Sequence, residues 1–194
     1  MILALAIVVA TTLLVGCPGL VMLVSGGFLA SAAFAGHAVM NEGAIGKLHV
    51  ANDIVHLLAS GTWAGSLVPL ALSLATAADR SYRRDLLAML GRYSAMVRLC
   101  VALVVVTGIV NTLLIVGGWP IHWSSPYQAM LSAKILLVVA MIGLALRNRY
   151  ALAVRAEAGD AGAFASVRQA AWIDAGLSLA VLVLVATFGT MAPD

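Results

Sequence analysis

The sequence predicts an all-α, polytopic transmembrane bundle forming a single domain over residues 1–194, and three observations carry that reading. Hydrophobic residues make up 63% of the chain and its mean hydropathy is +1.06, more apolar material than a water-soluble domain of this size buries. Charged residues are only 10% of the chain and leave uninterrupted apolar runs of the length that crosses a bilayer as helix. Those runs are continuous rather than alternating in polarity, which excludes a β-barrel, and backbone groups facing lipid must be paired within a helix.

The elements follow in order, with spans expected at about 2–16, 19–36, 53–76, 94–117, 128–146 and 170–190. The first is short, and only "GCPG" separates it from the second. Pro18 and its glycine neighbours are breaker signals, so residues 1–36 read as a tight hairpin or as one kinked helix, giving six or five spans. "LVGC" at Leu14–Cys17 has the form of a lipoprotein cleavage site, but no Lys or Arg precedes it, and a membrane segment is the reading preferred. The third span is expected to start as early as His49, as a turn outside the membrane.

Charge sets the expected orientation. Arg80, Arg83, Arg84 and Arg92 cluster before the fourth span, and Arg147, Arg149, Arg155 and Arg168 cluster between the fifth and sixth. The positive-inside rule puts both segments in the cytoplasm. The other connections carry Lys47 alone, or no Lys or Arg at all, and should face the periplasm, together with the C-terminus. The net charge of +3 therefore reports topology and gives no nucleic-acid surface. Trp119, Trp123 and Tyr127 fit an aromatic belt at the outer boundary. Cys17 and Cys100 form neither a CxxC pair nor a disulfide framework.

In this orientation all four histidines, His37, His49, His56 and His122, fall on the outer side. His49, Asp53 and His56 stand at i, i+4 and i+7, and Ser60 and Trp63 extend the same stripe inward. Such groups in a span face the bundle interior or a wet cavity. Cys100, Thr107 and Asn111 form a facing stripe on the fourth span, and Tyr127, Met130 and Lys134 one on the fifth. Lys134 is expected either to pair with Asp53 or to snorkel outward, Asn111 to serve the site or to tie helices together, and Asp174 to pair with a loop arginine. Imidazole suits copper and the neighbouring transition metals, and thioether favours Cu(I). With Met40 beside His37, the mixed His/Met/Asp set fits copper better than a closed zinc site. No nucleophile–base set, phosphate loop or HExxH is present, so an enzyme is not expected.

The pieces then form an ordered pattern. "HVANDIVHLLASGTWAGSLVPL" resembles the signature of the copper resistance protein D (CopD) family, in which a His, an Asp and a second His precede a small-residue run ending in Trp-x-Gly. "GHA" at Gly36–Ala38, "RYSAMVRLCVALVVVTGIVNTLLIVGG", "SPYQAMLSAKILLV" and the closing "VRQAAWIDAGLSLAVLVLVATFGTMAP" are similar to the family's neighbouring segments, over residues 36–193. The likeness is to the family's C-terminal membrane domain with an abbreviated start. It implies a bacterial inner-membrane protein of copper homeostasis, with copper held by His37, His49, Asp53 and His56 and with Trp63, Asn111 and Lys134 as supporting motif residues; Met40 and His122, on the same outer side, are weaker candidate ligands from the residue pattern alone. The lipid bilayer, the copper ion and a periplasmic copper-binding protein are the implied partners. Two other readings stay open: a bis-histidine b-type haem protein, which needs imidazoles on facing helices, and a structural or assembly subunit. A weaker one is a proton-coupled carrier using Asp53, His56 and Lys134.

Overall fold

The computed structural model describes residues 17–34, 43–75, 82–152, 154–155, 158, 160–189 and 191. The expected span at 2–16, and His37 and Met40, lie outside these residues. The described elements are helical: α1 (Pro18–Ser31) followed by a 3-10 turn (Ala32–Phe34), α2 (Gly43–Ser73), α3 (Arg83–Val116), α4 (Pro126–Arg147) running into a π-turn (Asn148–Leu152), and α5 (Ala161–Phe188). Four of the helices, α2 to α5, are long and apolar enough to cross a membrane; α1 with its 3-10 turn, Pro18–Phe34, is shorter. The described residues thus hold four full-length spans and one short apolar helix, where the apolar runs predicted six spans or five.

Each long helix starts before its predicted span, most of all α2, α3 and α5; α4 contains its span, whereas α2, α3 and α5 end slightly before theirs. At about 1.5 Å per residue, the 31 residues of α2 extend about 46 Å, against about 30 Å of hydrocarbon. Helix α2 is therefore about three turns longer than the hydrocarbon is thick.

Local chemistry explains the ends. Gly117 adopts a left-handed conformation (φ 72°), and its N–H bonds back to Leu113 O at 3.0 Å, closing α3 at a residue that carries no Cβ penalty. Ser125 caps α4 by accepting from the Gln128 N–H, with Pro126 in the first turn where a missing N–H costs nothing. Asp160 caps α5 by accepting from the Gly162 N–H at 2.8 Å. Pro69 sits inside α2, which membrane helices tolerate better than soluble ones.

Helix α2 is central: it packs on α3, α5 and α1, while α4 packs on α5. The α1–α2 approach is close because both helices present glycine. A Cβ at Gly61 would run into Leu29, and one at Gly26 would touch Leu58. The core forms three layers. Leu70, Leu86, Leu90 and Phe164 fill the arginine end; Ala59, Trp63, Val97, Cys100, Val104 and Met141 fill the middle; Tyr127, Leu131 and Phe188 fill the far end. Outward faces carry exposed apolar side chains such as Met22, Leu23, Leu136 and Leu179, as a lipid-facing surface requires. Trp119 and Trp123 are exposed near the loop between α3 and α4. Tyr127, expected beside them at the boundary, is instead buried, and its ring meets Phe188 edge-on at 5.3 Å.

Candidate functional site

The stripe on α2 faces inward. His49 is 1% exposed and Trp63 3% exposed, while Asp53, His56 and Ser60 are half-buried between them. It meets α3 in a connected set of side-chain hydrogen bonds. Asn52 Nδ2 donates to Asn111 Oδ1 at 2.7 Å and to the Thr107 carbonyl at 3.0 Å. Asn111 Nδ2 in turn donates to Asp53 Oδ1 at 2.8 Å. Asn111 therefore uses both halves of its amide across the helix interface, as the expected tie between helices.

One turn further in, His56 Nδ1 lies 2.9 Å from Thr107 Oγ1. Thr107 has a single hydroxyl proton, and that proton is directed at the Leu103 carbonyl 2.5 Å away. The Thr107 oxygen is then the acceptor and His56 Nδ1–H the donor, so the network selects the ring's tautomer. Gly108 makes room for the ring: a Cβ there would stand 3.4 Å from His56 Cε1. Ser60 does not extend the network sideways, since its hydroxyl bonds back to the His56 carbonyl at 2.7 Å.

Lys134, on α4, interacts electrostatically with both Asp53 and His56. It makes no direct ion pair with Asp53; among the described residues the ion pair is Arg155–Asp160. His122 stands apart. Its side chain is exposed in the loop before α4, and its backbone N–H donates to Gln128 Oε1 at 3.1 Å. Of the described histidines, His49 and His56 share one helix and His122 is on a loop, so no two face each other from opposing helices as a bis-histidine haem requires. Among the described residues no group of three or more His, Cys, Asp and Glu side chains is placed to hold a metal ion. Asp174, expected to pair with a loop arginine, forms no ion pair among the described residues and is buried on α5.

Sequence reasoning missed Asn52. The signal was present: Asn52 stands four residues before His56, one turn away on the same helix.

A family model for copper resistance protein D matches residues 87–188, more than half of the chain. The chain belongs to the CopD family. Two curated relatives match over most of its length. It is 34% identical to "Copper resistance protein D" of Pseudomonas syringae pv. tomato, over 97% of this chain and 64% of that one. It is 30% identical to "Inner membrane protein YebZ" of Escherichia coli (strain K12), over 81% of this chain and 54% of that one. The chain thus spans from about half to just under two thirds of the length of these curated relatives. No solved structure matches it. The CopD match covers the α3 half of the polar network, Thr107 and Asn111, together with Lys134 and Asp174; the α2 half lies before it.

Proposed function

We propose that the chain handles copper as cargo at the histidine end of a bundle in the bacterial inner membrane, with that end in the periplasm. The observation that carries this reading is the His56–Thr107 hydrogen bond beside the Asn52–Asn111–Asp53 network. An imidazole held through Nδ1 offers its Nε2 lone pair, and a carboxylate one turn away supplies negative charge; both donors suit copper. His49 lies one turn beyond Asp53 on the same stripe, and His37 and Met40 complete the expected donor set. Trp63 and Lys134 support it. The copper-resistance name of one relative and the inner-membrane name of the other agree with the reading.

The same proposal extends to movement of copper along the bundle. Beneath Thr107, Cys100 and Met141 share one core layer, and sulfur donors favour Cu(I). A periplasmic copper-binding protein is the partner this arrangement calls for. Metal analysis of the purified protein tests the reading. His56→Ala and His49→Ala should each lower the copper bound per chain, and unchanged stoichiometry in both would overturn it.

A further inference from the structure

The polar groups at the arginine end of the bundle belong to no part of the copper reading. A cavity of about 60 Å³ lies there between α2, α3, α5 and the π-turn, lined by Trp63, Tyr93, Ser94, Asn148, Arg149 and Asp174 among apolar side chains. Two of its lining residues each carry a buried acceptor oxygen without a hydrogen-bond partner, Asp174 Oδ1 and Asn148 Oδ1. The whole Asp174 residue is 2% exposed.

A buried acceptor without a donor is rare because it loses its hydration and gains nothing in return. Two such atoms on residues that line one void lack a positive partner, and no described side chain supplies one. The ionisable groups facing Asp174 are Tyr93 from α3 and Arg149 from the π-turn, with Cys100 one layer above; α2 contributes Trp63 and leucines. Arg149 is exposed and forms no ion pair with Asp174, and Arg168 on the same helix is exposed as well. The void has room for a small ion with water, since one water needs about 10–15 Å³. Its donors are oxygens, with neither imidazole nor sulfur in the lining, which favours a hard cation over copper. Asn148 opens the π-turn, and π-turns concentrate at functional positions.

We propose that this cavity is a cation-binding site, in which Asp174 and Asn148 present carboxyl and amide oxygens to a hydrated proton or to a small hard cation such as Na⁺. Trp63 divides it from the network around His56: the indole closes the inner end of the α2 stripe and forms a wall of the cavity.

The test uses the full chain in lipid nanodiscs, followed by infrared difference spectroscopy of carboxyl groups and by tryptophan fluorescence. In the wild type a protonated-carboxyl band should disappear on raising the pH, on replacing choline with Na⁺ at constant pH, or on both. Loss with pH alone identifies the proton as the ligand; loss with Na⁺ identifies the metal cation. Asp174→Asn should abolish the band and the responses while leaving copper stoichiometry unchanged. Asn148→Ala, a second route should the first variant misfold, should raise the half-effective Na⁺ concentration about tenfold, or shift the proton response equivalently, as the loss of one contact implies. A wild-type spectrum insensitive to both pH and Na⁺, or a response retained in Asp174→Asn, would overturn the proposal.

Discussion

Asn111 is the residue on which the α2–α3 contact turns. It accepts from Asn52 and donates to Asp53, so replacing it leaves one donor and one carboxylate oxygen without partners in a half-buried place. Asn111→Leu should lower stability by about 1–2 kcal/mol, within the range for interhelical polar contacts in membranes, read from unfolding in mixed micelles. Thr107 acts on His56 in a different way. Thr107→Val removes the oxygen that accepts from Nδ1–H and keeps the side chain's shape. Loss of such an orienting partner costs about 10–100-fold in metal affinity, so a copper titration should show a drop of that order for Thr107→Val and little change for Thr107→Ser. Equal affinities in the two variants would remove the tautomer argument.

At the scale of elements, the joint between α4 and α5 is held by chemistry outside the membrane. The Arg155 guanidinium, bonded to Asp160 through Nε at 2.9 Å and Nη2 at 2.6 Å, holds the Asp160 carboxyl below the usual aspartate value of 3.8, and the Gly162 N–H adds to the effect. A lowered native pKa stabilises the joint above the ordinary value, and the stabilisation is lost as pH falls through the native one. A spin label at Ala158, with Cys17 replaced by Ser, should be restrained at neutral pH and become mobile only under acid conditions. Asp160→Asn should be mobile throughout. The elements also show what one sequence discloses. The apolar runs located α2 to α5 because lipid exposure leaves a compositional mark, but they undershot the helix starts, since Lys47, His49 and Asp85 interrupt the apolar pattern without interrupting the backbone ladder. The i, i+4, i+7 stripe was legible because its spacing is a property of one helix. Its bonds to Thr107 and Asn111, and the cavity shared by Asn148 and Asp174, depend on which helix lies next to which, and no local spacing encodes that.

At the scale of the whole molecule, the charge bias makes a topological prediction. With Cys17 replaced, Ser124→Cys should react with a membrane-impermeant maleimide in intact spheroplasts, and Ala158→Cys only after lysis; the reverse pattern would invert the bundle and move the histidine end to the cytoplasm. The bundle's dimensions have a further consequence. Because α2 and α3 are both longer than the hydrocarbon is thick, matching apolar length to the bilayer does not fix how high one stands against the other. The register of two such rods must then be set by contacts between them. The amide and carboxylate bonds from Asn52 and Asp53 to Asn111 act as a cotter pin through both rods, setting the height at which His56 meets Thr107.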